Sequence, residues 1–156
     1  WGGGQENGLR SGTLPVALCV GFGAAAKILN EHRDEIIVQV KNLRDNFYQE
    51  LSALKHNVTL IGPDLSDRHV GNLSILFPEY DASDLLTMLQ PNLAASTGAA
   101  CTSGIPEPSH VLRALGLSGD LADHVIRFSF GKFLSEDDII RGIELLKNAV
   151  ERVDAR

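Results

Sequence analysis

Ala94-Ala95-Ser96-Thr97-Gly98-Ala99-Ala100-Cys101-Thr102-Ser103-Gly104-Ile105-Pro106-Glu107-Pro108-Ser109-His110 is the stretch whose reading decides the rest of the chain. It follows neither the two-residue alternation of a strand nor the 3.6-residue period of a helix. Gly98 and Gly104 permit backbone angles closed to other residues, and Pro106 and Pro108 hold off any helix until Pro108. The stretch from about 95 to 108 is therefore read as an exposed, mobile loop with Cys101 at its centre. A free cysteine is ordinarily a small buried hydrophobe. Around Cys101, however, nothing is large enough to anchor a core, which favours a reactive thiol. Cys19, in Pro15-Val16-Ala17-Leu18-Cys19-Val20-Gly21-Phe22-Gly23, has apolar neighbours on both sides and is read as packing.

The run Ser96 to Ser103, followed by Glu107-Pro108-Ser109-His110-Val111-Leu112-Arg113-Ala114-Leu115-Gly116-Leu117, resembles the active-cysteine loop of the NifS/IscS-type cysteine desulfurases. These are pyridoxal-phosphate (PLP) enzymes of the class-V aminotransferase family that take sulfur from L-cysteine. A second motif is Gly2-Gly3-Gly4-Gln5-Glu6-Asn7-Gly8-Leu9-Arg10-Ser11-Gly12-Thr13. Its glycines alone would read as a flexible loop, since they lack Rossmann or P-loop spacing. The whole segment is nevertheless similar to a glycine-rich motif of the same family. The resemblance implies a homodimer in which Thr13 reaches the PLP phosphate of the partner subunit. Pro15 places a helix start at Thr13, where an anion is favoured, although a plain N-cap is the alternative.

Ile126-Arg127-Phe128-Ser129-Phe130-Gly131 sets an arginine in the middle of a strand pattern. A guanidinium there needs an anion, because desolvating it unpaired costs several kcal/mol. The residues alone leave open a structural Asp or Glu pair and a bound carboxylate. The resemblance assigns Arg127 to the substrate α-carboxylate, a task suited to bidentate geometry. Ser129-Phe130-Gly131-Lys132 also looks like a Ser-x-x-Lys nucleophile or a Schiff-base setting, but nothing there would desolvate the lysine. The other lysines, at 27, 41, 55 and 147, fall on expected helices or their ends. By the resemblance, the Schiff-base lysine belongs outside this chain. Two departures from the family are minor on this reading. Asn7 replaces a basic residue, and Arg68-His69 bears on a turn without touching Cys101, Arg127 or Thr13.

The chain has 156 residues, 44% of them hydrophobic, which suits one domain with a real core. A net charge of −6 argues against nucleic acid as a partner, since phosphate binding needs clustered Lys and Arg. No run approaches the roughly 20 apolar residues of a membrane span, and no signal peptide opens the chain, so a cytoplasmic location without membrane contact is expected. The five histidines show no ligand spacing, and no intrinsic metal site is expected. Because Trp1 stands inside a motif, the chain is expected to begin within a longer polypeptide.

The patterning predicts helices over Leu14–Asn30 and Glu31–Ala53 and short strands over Val58–Ile61, Val70–Phe77, Leu93–Ala95 and Val125–Phe130. Further helices are expected after the Asp81 cap, from Pro108-Ser109 to Leu115, and after Ser135. The fold class is α/β of the α+β kind. The resemblance implies the small C-terminal domain of a fold-type-I PLP enzyme, with a short, mostly antiparallel sheet covered by helices and N-terminal bridging helices. Residues 1–30 would be the tail end of the large domain and a bridging helix, and residues 31–156 the small domain carrying the cysteine loop. The implied reaction converts L-cysteine to L-alanine, leaving the sulfur as a persulfide on Cys101 for an iron–sulfur scaffold or sulfur-carrier protein. Cys101 could also serve as a transient iron–sulfur ligand, and His110 could assist with protons. The alternatives are a selenocysteine lyase or class-V aminotransferase of the same fold, or a non-catalytic thiol interaction module.

Overall fold

The computed structural model describes residues 2–54, 57–97, 109–117 and 119–154. Cys101 and the centre of the cysteine loop lie outside them. The chain divides into two compact units, Trp1–Ile36 and Ile37–Arg156. Helix α1 is a single element, Val16–Ala53, where the sequence predicts two. Nothing between Asn30 and Glu31 breaks helical geometry, since neither proline nor glycine stands there.

In the first unit, residues 2–35 are all exposed. The covered helix expected over Leu14–Asn30 is therefore not covered within this unit, and Cys19 is exposed rather than packed. Apolar sequence neighbours make an apolar face, but burial needs a second element laid against it. The glycine-rich lead-in is bonded to itself: Ser11 Oγ donates to the Gly3 carbonyl at 2.9 Å, and the Gly12 amide donates to Gln5 Oε1 at 3.2 Å. Gly12 has φ +104°, an angle that only glycine adopts without strain. Helix α1 begins at Val16, so Pro15 precedes the first helical residue and Thr13 lies ahead of the helix.

The second unit is built on an antiparallel sheet of β1 (Thr59–Leu60), β2 (Asn72–Leu76), β3 (Ser96–Thr97) and β4 (Val125–Ser129), in the order β1-β2-β4-β3. This is the expected α+β architecture with β4 inside the sheet. Leu73 pairs with Phe128 and Ile75 with Ile126, and all four are buried on one face. On that face lie Leu43, Phe47 and Leu51 of α1, α2 (Ala82–Leu89), and α4 (Glu136–Asp154) with Leu146 and Val150. Phe47 packs at 5.0 Å from Phe128 and 5.4 Å from Phe130, centroid to centroid. Each buried Leu, Ile, Val or Phe contributes about 1.5–3 kcal/mol relative to exposure, so this layer dominates the stability of the unit. The opposite face carries a smaller cluster, Leu76, Leu112, Ala122 and Val125, contributed in part by α3 (His110–Ala114).

Helix ends follow their sequence signals. The Asp81 carboxylate accepts from the amides of Ser83 and Asp84 at 2.8 and 3.1 Å. Ser135 and Asp138 cap each other: the Asp138 amide donates to Ser135 Oγ and the Ser135 amide to Asp138 Oδ2. The Tyr80 hydroxyl donates to Asp154 at 2.8 Å, tying the end of α4 to the segment before α2. No helix of the described residues is long and apolar enough to cross a membrane.

Arg44 is fully buried, with a side-chain exposure of 0%. Its guanidinium donates to Asp45 Oδ1 at 2.7–2.8 Å and to the carbonyls of Leu65 at 2.9 Å and His69 at 3.5 Å. Partial burial pushes the Asp45 carboxyl up, but hydrogen bonds from Lys41 and Arg44 and the charges of both outweigh it and hold the carboxyl below its ordinary value. A depressed carboxylate adds stability above its unfolded pKa and loses it as pH falls through the folded one. Asp45→Asn should therefore cost stability near about pH 7 and progressively less below about pH 4, as denaturant unfolding at the two pH values will show. A second outcome concerns Gly71. A Cβ there would sit 2.5 Å from the Phe130 carbonyl oxygen, whereas one at Gly131 meets nothing within 4 Å. Gly71→Ala should lower the unfolding free energy by about 2–4 kcal/mol, with Gly131→Ala nearly neutral in the same assay.

Candidate functional site

Alternation along β4 decides where Arg127 goes. With Ile126 and Phe128 buried in the core, Arg127 falls on the opposite face and is exposed. The strand context had suggested an embedded guanidinium; the pleat instead directs it outward. In register, Arg127 stands between Ser74 of β2 and Ser96 of β3, and such directly opposed residues share one face. Two short hydroxyl side chains thus flank the guanidinium and leave the space above it open. Among the described residues no carboxylate pairs with Arg127, so the structural ion pair that the sequence left open is not formed there.

Above this row lies a cavity of about 330 Å³ lined by Arg127, Asn72, Ser74, Arg68, Ser109 and Leu115, with Ile61, Gly62 and Pro63 on its wall. Asn72 lies two residues along β2 from Ser74 on the same face. Ser109 leads into α3, and Leu112 of that helix anchors it on the sheet beside Val125. The cavity thus holds hydrogen-bond donors and cationic groups, and none of its described lining residues is acidic. Chemically it suits a small carboxylate bearing a polar substituent.

Cys101 lies outside the described residues. Of its two described flanks, Ser109 lines this cavity, and Ser96–Thr97 pairs with Arg127 and Ile126 on the neighbouring strand. The third expected strand is at Ser96–Thr97 rather than Leu93–Ala95, so part of the stretch read as loop is sheet edge. Thr13 belongs to the first unit and is exposed; among the described residues its hydroxyl makes no hydrogen bond, while its carbonyl accepts from Arg10 at 3.4 Å. His110 is exposed at the start of α3 and does not line the cavity. Lys27, Lys41, Lys132 and Lys147 are exposed on helices or turns, Lys132 over the Phe133 ring at 5.0 Å. None of them lines the cavity.

Sequence reasoning missed Arg68 and the polar residues of β2. Arg68 was read as turn chemistry remote from the site, yet it lines the same cavity as Arg127. Burial and the nearby positive charge of Arg44 lower its guanidinium from the ordinary value; it remains charged, as arginine does. Ser74 could have been found from the alternation of Asn72-Leu73-Ser74-Ile75, which puts polar groups on one face. Arg68 has no such local signal.

The second unit is thus an antiparallel sheet with a helical layer on one face and, on the other, a cavity lined by Arg127 and Arg68. The chain belongs to the aminotransferase class-V family, whose profile matches residues 3–141. Within that family it is similar to the cysteine desulfurase IscS of Ehrlichia chaffeensis, 41% identical over 152 residues, which are 97% of this chain and 37% of that protein. The cysteine desulfurase IscS of Haemophilus influenzae is 42% identical over 99% of this chain and 37% of its own length. Among solved structures, a NifS-like protein from Rickettsia africae superposes with a TM-score of 0.81 at 28% identity, covering 96% of this chain and 39% of that one. The chain therefore spans less than two-fifths of the length of these relatives.

Because Arg127 is exposed and holds no ion pair among the described residues, removing its charge should scarcely alter folding. Arg127→Gln is expected to change the unfolding free energy by no more than about 0.5 kcal/mol, measured by denaturant titration. A structural arginine of a buried pair would cost about 3–5 kcal/mol.

Proposed function

We propose that the chain is the sulfur-carrying portion of a PLP-dependent cysteine desulfurase, which converts L-cysteine to L-alanine and holds the sulfur on Cys101. The observation that carries this reading is the Arg127 guanidinium, without an ion-pair partner among the described residues, in a cavity that Ser109 on one flank of the Cys101 segment lines, while Ser96 on the other flank stands in register with Arg127. The similarity to desulfurases supports it. On this reading residues 1–30 are the tail of a larger cofactor-binding domain with its bridging helix, and residues 31–156 the small domain.

Thr13 fits one end of the cofactor, since its hydroxyl is uncommitted and glycine backbone lies beside it. It would hold the phosphate in the partner subunit of a homodimer. No described lysine is desolvated beside the cavity, so the lysine that holds the cofactor covalently is assigned to the remainder of the longer protein. PLP, when bound, supplies an electron sink that weakens the substrate carbon–sulfur bond.

Arg127 binds the substrate α-carboxylate with two parallel N–H···O bonds and thereby fixes the direction of the substrate sulfur. Asn72 and Ser74 can add donors to the same carboxylate. The Cys101 thiolate attacks the substrate sulfur. A sulfur–sulfur bond forms on Cys101 and the substrate carbon–sulfur bond breaks. The electron pair of the broken bond stays on the substrate carbon, which takes a proton to become the methyl group of alanine. The small residues around Cys101 allow the persulfide to leave the site and meet an iron–sulfur scaffold or sulfur-carrier protein.

Incubating the full-length protein with L-cysteine labelled at sulfur should add the mass of one labelled sulfur atom to the peptide containing Cys101. Cys101→Ser should lose that adduct and reduce alanine release, measured with a thiol reductant that cleaves the persulfide to sulfide, by at least about 100-fold. Unchanged alanine release from Cys101→Ser would replace this reading with that of a relative in which the thiol is not the acceptor.

A further inference from the structure

Two arginines that the proposed reaction does not use, Arg44 and Arg68, form a chain of backbone contacts that ends at the Arg127 cavity. Arg44, wholly buried on α1, donates to the carbonyls of Leu65 and His69 and so grips the turn on both sides of Arg68. Arg68 in turn donates from Nε to the Pro63 carbonyl at 2.9 Å and from Nη2 to the Ile61 carbonyl at 2.9 Å, with a further Nη2 contact to Pro63. Its fork therefore spans Gly62, which adopts φ +89°. A Cβ added at Gly62 would lie 3.7 Å from both Arg68 Nη2 and Leu115 Cδ1, so the bridged turn lies between the guanidinium and the end of α3. Ile61 is also tied to the sheet: its amide donates to the Ser74 carbonyl at 2.9 Å, and Ser74 is the register partner of Arg127.

We propose that Arg68 is a positioning residue of the Arg127 carboxylate site, holding the Ile61–Pro63 turn as the wall that faces α3. It acts through backbone carbonyls, and its planar fork is what the arrangement requires. A lysine offers a point charge on a flexible stem and cannot bridge two carbonyls of one turn in a fixed plane. The carboxylate then meets a cavity of set width, with Ser74 and Asn72 held at fixed distance from the guanidinium. Without the bridge, the turn can move away from α3 and the anion is held by Arg127 alone. The inference rests on the proposed reading of Arg127 as the carboxylate anchor.

The test uses the full-length protein with its cofactor and three variants: Arg68→Lys, Arg68→Gln and Arg127→Gln. L-alanine serves as a carboxylate probe that transfers no sulfur, with affinity measured by calorimetry. Arg68→Lys and Arg68→Gln are both expected to weaken L-alanine and to raise KM for L-cysteine by about 10-fold, with kcat changed by less than about 3-fold. The Ile61 amide should exchange with deuterium faster in both. Arg127→Gln should weaken L-alanine without changing exchange at Ile61. If Arg127→Gln weakens L-alanine while both Arg68 variants bind it as wild type does, the positioning role is wrong and the anchor reading stands. If Arg68→Lys restores wild-type binding where Arg68→Gln does not, charge rather than the fork is at work, and the proposal is likewise overturned. If Arg127→Gln binds L-alanine unchanged, the anchor reading itself fails and the inference falls with it.

Discussion

The register of β2 on β4 is the constraint on which the second unit depends. Leu73 opposite Phe128 and Ile75 opposite Ile126 place four apolar side chains on one face, where α1, α2 and α4 bury them. The same register puts Ser74 beside Arg127 on the other face. Because side chains alternate strictly, a slip of one residue would bury the guanidinium and expose the core set at once. The energetic demand for a buried Leu73–Ile75 face thus enforces the presentation of Arg127. The outward presentation of Arg127 is therefore a consequence of how the core packs.

Around that sheet, buried charge is used sparingly and always with partners. Arg44 has Asp45 and two carbonyls, so its removal from water is compensated by directed hydrogen bonds. Arg68, half-buried, has the carbonyls of Ile61 and Pro63. Arg127 alone of the three meets no protein acceptor among the described residues, and it is also the one that is exposed. A cation that the core does not need, beside two serines and an open cavity, is available to a ligand. That contrast sets Arg127 apart from the two structural arginines more sharply than the strand pattern does.

The sequence carried the fold at the level of element type. Alternation in Asn72-Leu73-Ser74-Ile75 and in Val125–Ser129, the Asp81 cap and the Ser135–Asp138 capping box all correspond to observed elements. These are local signals, each contained within one element. The errors came where burial was inferred from neighbours in sequence. Cys19 sits among apolar residues yet is exposed, because nothing in its unit lies against that face. The two helices expected before Leu54 are one, since a change in amphipathic pattern alters which face is apolar without breaking the backbone hydrogen bonds.

The sequence by itself pointed to the family, through the resemblance of its cysteine-loop and glycine-rich motifs, and it determined the strand that bears Arg127, because both are written in contiguous residues. Only the tertiary structure decided that Arg127 faces outward between Ser74 and Ser96, and that Arg68 reaches the same cavity. The reason is physical: a residue's partners across a sheet, and the wall opposite it, come from segments far apart in the chain. Local pattern cannot encode their distance. It emerges only when the apolar faces of β2 and β4 are buried together.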